Sequence, residues 1–231
     1  PFDPHRAIPA ADLARILEAA RWAPTAHNMQ NFDIVVVDDP DTLEAIGRIG
    51  HTVSLEFIRE NFAQLAASPE ELRTRKTGIL AAHFPPAWTT RDTLARVPEE
   101  TRHGTLGDTL AGSPVLLVVT WDPRRRAPAS EHDALGVMSL GCMLENAWLM
   151  AESLGVSMQV VSAFGAEGVE RELRHVLGVP DGLRIAFAVR LGYPVVEPPA
   201  AVRVRRDLAD FVHHNQFSNA WQGAHAEAFA R

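Results

Sequence analysis

The chain has 231 residues, 46% of them hydrophobic and 22% charged, enough apolar matter for a sizeable core and too much for an intrinsically disordered polymer. Its 22 Lys plus Arg against 29 Asp plus Glu give a net charge of -7, which excludes a protein-wide basic footprint for nucleic acid. The only cysteine, Cys142, excludes an intrachain disulfide and a cysteine-cluster metal site.

Residues 10–22 carry Leu13, Ile16, Leu17 and Ala20, an i, i+3, i+4, i+7 stripe that predicts an amphipathic helix. Pro24 stops it, because the residue before a proline is pushed out of helical backbone space. A polar turn through Thr25, Ala26, His27 and Asn28 leads into Phe32-Asp33-Ile34-Val35-Val36-Val37, a β-branched run that reads as a buried strand. A short helix is expected over 41–49. Residues 54–112 read as a variable, inserted helical cover, with Leu55, Ile58, Phe62 and Leu65 at helical spacing and Phe84-Pro85-Pro86 breaking the pattern. Within it, Ser68-Pro69-Glu70-Glu71 has the form of a capping box.

Residues 114–121 predict a second buried strand, and 122–130 a basic surface loop. The segment 134–154 is apolar on nearly every face and ends at Gly155. A helix without a polar face requires cover on all sides, from a core or from a partner subunit. A third strand over 156–162, a helix over 167–177 and a fourth strand over 184–191 complete the expected body. The segment 195–231 reads as an extended C-terminal arm, too apolar at Phe211, Val212, Phe217 and Trp221 for a free tail. The expectation is one α+β domain over 1–231, with a sheet flanked by helices around a long buried helix. No export signal or long uninterrupted apolar run is visible, so a cytoplasmic protein without a membrane span is expected.

The chemistry-bearing motifs are mostly missing. The ten histidines form no His-Glu-x-x-His pair, and adjacent His213 and His214 point in different directions on a regular element, so no metal site is expected. The nucleophile elbow, the phosphate loop and the Rossmann fingerprint are all absent. Cys142, inside the apolar segment, reads as a packing residue. An enzyme so equipped would borrow its chemistry from a cofactor.

Three stretches carry a family likeness. Arg21-Trp22-Ala23-Pro24-Thr25-Ala26-His27-Asn28-Met29-Gln30, just before a strand, resembles the Ala-Pro-Ser/Thr-x-x-Asn-x-Gln element of the nitroreductase-like flavoproteins. Asn31-Phe32 depart from the Pro-Trp that usually follows. Leu144-Glu145-Asn146-Ala147 through Ala151-Glu152-Ser153-Leu154-Gly155 is similar to the family's long central helix. Leu191-Gly192-Tyr193-Pro194 followed by Arg203-Val204-Arg205-Arg206 is the third match, and the three fall in order along almost the whole chain.

The resemblance implies a nitroreductase-like fold, a central and mostly antiparallel sheet flanked by helices around a long buried helix, in an intertwined homodimer with a C-terminal arm. It also implies one FMN in each of two interfacial sites and NAD(P)H as electron donor. Pro24, Thr25, Ala26, Asn28 and Gln30 would contact flavin from across the interface, where small residues let backbone approach a flat ring and amide side chains match its pyrimidine edge. Val161, Ser162 and Ala163 would offer a backbone N–H near flavin N5, and Arg205, supported by Arg203, would hold the phosphate. The family's Arg-Ser-x-Arg run, which grips the phosphate, normally precedes a Phe-x-x-x-x-Ile/Val-Pro segment. Here Phe2-Asp3-Pro4 already opens that segment, so the run is not in the chain as given. Either those residues precede Pro1, or flavin binding is weak.

No residue is assigned a catalytic role, since hydride transfer requires no mandatory side-chain base. The implied activity is ping-pong hydride transfer to an electron-poor acceptor such as a nitroaromatic, a quinone or an activated alkene. Two other readings fit the residues: an FMN-dependent dehydrogenase or oxidase of a specialised metabolite, and a dimeric binding protein with a decayed flavin site. Plain structure also accounts for single elements. Thr25–Gln30 serves equally as a simple turn, Glu145 and Asn146 as core polar residues tying helices together, and Arg203, Arg205 and Arg206 as a solvated face. Asn61, Gln64 and Lys76 fit a surface helix as well as a substrate contact.

Overall fold

The computed structural model describes residues 2–53, 67–75, 102–110, 112–128, 130, 132, 134–165, 167–196 and 204–219. The chain divides into two compact units, 1–52 with 103–197, and 53–102 with 198–231. The larger unit holds the sheet. Its elements in order are α1 (Ala10–Arg21), β1 (Phe32–Val37), α2 (Pro40–Gly47) and β2 (Gly50–Val53). After the insertion come β3 (Arg102–Thr105), α3 (Leu106–Leu110), β4 (Val115–Trp121), α4 (Ala134–Ser153), β5 (Ser157–Val161), α5 (Glu167–Leu177) and β6 (Arg184–Gly192).

Four strands form one antiparallel sheet in the order β1-β4-β6-β5. Phe32 pairs with Trp121 and Val37 with Leu116 across β1 and β4, while Ser157 pairs with Gly192 and Val161 with Ala188 across β5 and β6. The central strand β4 has no polar alternation because both its faces are covered, as the continuous Val-Leu-Leu-Val-Val run requires. Val115, Leu117 and Val119 face one core with Ile16, Ala20, Leu140, Met143, Ala147 and Ala151 from α1 and α4. Leu116 and Val118 face the other, with Ile46, Leu106, Leu110, Val169 and Leu173 from α2, α3 and α5. Each fully buried Leu or Ile contributes roughly 2 kcal/mol relative to exposure, so the two layers of apolar side chains dominate the stability.

The helix boundaries follow local chemistry. Pro40 stands at the first turn of α2, and the Asp39 carboxylate accepts from the Thr42 N–H at 2.9 Å. Gly155, at φ +71, ends α4, with the Val156 N–H donating to the Ala151 carbonyl at 2.9 Å. Asn146 Nδ2 donates to the Ala19 carbonyl at 3.2 Å and ties α4 to α1. Glu145, expected as its companion in the core, is instead exposed, because its position one residue earlier turns it about 100° round the helix, away from α1. The helix α4 is long and apolar enough to cross a membrane by length and composition. It packs one side into the core, burying Leu140, Met143, Ala147 and Ala151. Its other side leaves Val137 and Met138 each 56% and Leu149 61% exposed within a single chain.

The cover expected over 54–112 is helical only in part. Residues 102–105 are the strand β3, paired with β2, and 106–110 are α3, whose Leu106 is fully buried in the body. A four-residue strand carrying three polar residues and a glycine shows no periodicity by which sequence alone could find it. Residues 54–66 and 76–101, with Asn61, Gln64, Lys76 and the Phe84-Pro85-Pro86 break, lie outside the described residues. In the smaller unit, Pro69–Arg75 is a helix. Its box is reciprocal: the Glu71 N–H donates to Ser68 Oγ at 3.1 Å and the Ser68 N–H to Glu71 Oε2 at 2.7 Å. In the expected arm, Leu208–Asp210 forms a short 3-10 turn. Phe217 is 85% exposed, and Trp221 lies outside the described residues.

Candidate functional site

The loop between α1 and β1 is the most unusual stretch of backbone in the body. His27, Asn28 and Gln30 have φ of 50, 54 and 44 degrees, so three non-glycine residues within four lie in left-handed space. Asn and His tolerate this region better than most, yet each such residue is strained by about 1 kcal/mol. Such a conformation persists only where its surroundings enforce it.

The enforcement is visible on both sides. At the end of α1, Arg21 Nε and Trp22 Nε1 both donate to the Glu18 carboxylate, at 2.8 and 2.7 Å, and hold its pKa down at about 2. The three side chains form an exposed cluster at the end of α1, where the loop begins. Inside the loop, the Asn28 N–H donates to the Thr25 carbonyl at 2.9 Å, and the Gln30 N–H to Thr25 Oγ1 at 3.2 Å. The Ala26 N–H reaches out of the loop to Ser139 Oγ on α4 at 3.1 Å. From the basic loop, Arg125 Nη1 donates to the Gln30 carbonyl at 3.4 Å, and the Asp122 N–H to the Asn31 carbonyl at 3.1 Å. The Asp122 carboxylate is itself bound by Arg124, which lowers its pKa to about 2. Thus Pro24, Asn28 and Gln30 are exposed, Thr25 and Ala26 half-buried, and all five are presented on one braced turn.

The second predicted group sits at the end of β5. The Val161 side chain is 4% exposed and belongs to the core with Phe164 and Ala188, so Val161 can offer a ligand only its backbone. The residue pointing outward is Val160, 36% exposed on the edge strand, which the sequence reading passed over. Alternation along the strand was the available signal. Ser162 opens a 3-10 turn, Ser162–Gly165, and Ala163 is half-buried there. Of the predicted phosphate ligands, Arg203 lies outside the described residues. Arg205 is exposed, and its Nη1 donates to the Val204 carbonyl at 2.9 Å.

The fold keeps the two backbone groups apart. The Pro24–Gln30 loop leads into β1, one edge of the sheet, and Val161–Ala163 follow β5, the other edge. Three inter-strand spacings of about 4.8 Å separate those edges, roughly 14 Å in all. A cleft of about 900 Å³ at the end of α5 is lined by Arg171, Arg174, His175 and Arg184 and contains none of the predicted residues.

Sequence reasoning also missed Ser139, Arg125 and Asn31. Asn31 is 2% exposed, and neither its Nδ2 nor its Oδ1 has a hydrogen-bond partner among the described residues. Its identity had been visible as a departure from the family's proline. Ser139 carries no sequence signal, being one more small residue in an apolar helix.

A four-stranded antiparallel sheet between two helical layers, with a braced helix-to-strand loop at one edge, is the architecture of the flavoprotein class suggested by the motifs. The chain belongs to the nitroreductase family, whose sequence model matches residues 1–193. It is 27% identical over 199 residues, 82% of this chain and 79% of the relative, to a protein of Thermus thermophilus named NADH dehydrogenase. Among solved structures, it resembles an FMN-dependent nitroreductase of Clostridium difficile, with a TM-score of 0.57 at 16% identity, covering 94% of this chain and 92% of that one. A Bacteroides fragilis nitroreductase with bound FMN gives a TM-score of 0.54 at 22% identity, covering 93% and 91%.

Proposed function

We propose that the protein is an FMN-dependent NAD(P)H oxidoreductase that acts as a homodimer, with each flavin site shared between two chains. The observation that carries this reading is the separation of the two predicted flavin-contacting segments to opposite edges of one sheet. With the two segments at opposite edges of one sheet, a second copy packed against the first would bring the loop of one chain to the strand end of the other. The exposed apolar side of α4 supports the same arrangement. Val137 and Met138 lie beside Ser139, so the uncovered face adjoins the braced loop.

The residues present fit a flavin mononucleotide. A turn carrying Thr25, Ala26, Asn28 and Gln30 offers small residues for close approach and amides for a ring edge that both donates and accepts. Val160 offers an apolar surface for a flat ring, and the Ser162–Gly165 turn offers backbone N–H groups next to it. Arg205 is an exposed guanidinium suited to a phosphate dianion. When bound, FMN supplies a two-electron centre that takes hydride from a nicotinamide and passes it to an acceptor in a second half-reaction. The chain's share is to fix the ring plane by the braced loop, to place a backbone donor beside the reacting edge, and to balance the phosphate charge. Nitroaromatics, quinones and activated alkenes are the acceptor classes that such chemistry serves.

The test is the visible spectrum of the purified protein, with released chromophore identified and the holoprotein titrated with NADH and NADPH under nitrogen. A flavin spectrum that bleaches with either nucleotide is the expected result. A flavin that stays oxidised with both would move the reading to an oxidase of an organic donor. No chromophore, and none taken up from added FMN, would leave a dimeric binding protein. The dimer is tested separately: Leu149→Asp together with Val137→Asp is expected to convert a particle of twice 25.3 kDa into a monomer on gel filtration. An unchanged particle would refute α4 as the interface.

A further inference from the structure

Ser139 is 1% exposed inside an apolar helix, and both roles of its hydroxyl are defined. The hydroxyl donates its one hydrogen to the Leu135 carbonyl at 2.8 Å and, through a lone pair, accepts the Ala26 N–H at 3.1 Å. The acceptor direction is therefore set by the helix rather than by a freely rotating hydroxyl. The two residues are 113 positions apart in sequence. Ala26 is the first residue of the 3-10 turn Ala26–Asn28, immediately before the left-handed His27 and Asn28. Locking its peptide plane fixes the rotation of everything that follows.

We propose that Ser139 is a positioning residue for the flavin loop: its helix-oriented hydroxyl holds the Ala26 peptide so that the strained turn is already in the ligand-binding conformation before FMN arrives. The inference rests on the reading of this loop as a flavin contact. The physical basis is population. A loop with three left-handed residues and one fewer external tether spends less time in the competent form, and apparent affinity falls by that fraction. A net hydrogen bond of ordinary strength predicts roughly a tenfold loss.

The hydrogen bond can be removed from either side. Ser139→Ala deletes the acceptor. Ala26→Pro deletes the donor at a site suited to proline, since Thr25 before it is extended at φ -123 and ψ 147. FMN affinity by fluorescence quenching, the shape of the flavin absorption band and the flavin midpoint potential are measured for wild type, both single variants and the double variant. Roughly tenfold weaker FMN binding in each single variant, no further loss in the double, and recovery in Ser139→Thr are expected, because one interaction is removed three ways. Wild-type affinity in Ser139→Ala, or losses that multiply in the double variant, would overturn the proposal while leaving the flavin reading intact. Failure of the wild type itself to take up FMN would overturn the flavin reading, and the proposal with it. Should Ser139→Ala not fold, Ser139→Cys decides, since it fills the same space with a thiol that accepts hydrogen bonds poorly: roughly tenfold weaker FMN binding supports the tether and unchanged affinity overturns it.

Discussion

Gly112→Ala provides a sharp test of how the N-terminal segment is held. Gly112 has φ +76, and a Cβ built there would lie 2.2 Å from the Phe2 carbonyl oxygen. No side-chain rotation relieves a contact with backbone, so the variant either shifts the chain or releases the strap. Phe2 is 8% exposed, bridges to Pro194, and packs its ring so close to Gly192 that a Cβ there would meet it at 2.7 to 2.9 Å. The Asp3 N–H adds a bond to the Tyr193 carbonyl at 2.8 Å. Releasing the strap therefore forfeits one buried aromatic side chain, up to about 3 kcal/mol, and one hydrogen bond, about 1 kcal/mol. Alanine in left-handed space adds about 1 kcal/mol. The loss is bounded near 5 kcal/mol, because detachment ends the clash. Urea unfolding of Gly112→Ala, Phe2→Ala and the pair measures it. Gly112→Ala is expected to lose about 4 kcal/mol, and the pair scarcely more than Gly112→Ala alone, since the second change removes contacts already lost. A loss below about 1 kcal/mol, or full additivity, would refute the account.

The other predictions concern polar groups in the interior. Glu170 accepts from Arg184 Nε at 3.0 Å and from the buried Ile185 N–H at 3.1 Å. Burial pushes the Glu170 pKa up, but these bonds and the charges of Arg184 and Arg174 outweigh it and hold it below the usual 4.5. A depressed folded-state pKa gives stability that is complete above about 4.5 and lost as pH falls through the folded value. Glu170→Gln should thus be less stable than wild type by about 1 to 2 kcal/mol at neutral pH, with the gap closing as urea melts are taken into acid; a gap independent of pH would sink the assignment. Asn31→Leu should raise the unfolding free energy by about 1 kcal/mol, because a buried amide without a partner among the described residues is replaced by an apolar group of similar size. A loss of more than about 1 kcal/mol in thermal or urea melts would show that the amide is satisfied in the working protein.

The sequence by itself determined the parts of the fold whose causes are local. β1 and α5 have the boundaries expected from their β-branched run and apolar spacing, and α4 follows from one apolar segment and its terminal Gly155. The Ser68–Glu71 box closed as its spacing required, because all its atoms lie within one turn. The Thr25–Gln30 loop was legible as a candidate contact only through resemblance, since the same residues make an ordinary turn. What tertiary structure alone decided were relations between distant segments. Strand order placed that loop and Val161 at opposite edges of the sheet. Pleating turned Val160 outward and Val161 inward, and the packing of α4 exposed Glu145 while burying Ser139. Periodicity states that a helix has a buried side, but not which neighbour will lie against it. The Ala26–Ser139 bond exists because α4 passes behind the loop, and no spacing rule spans 113 residues.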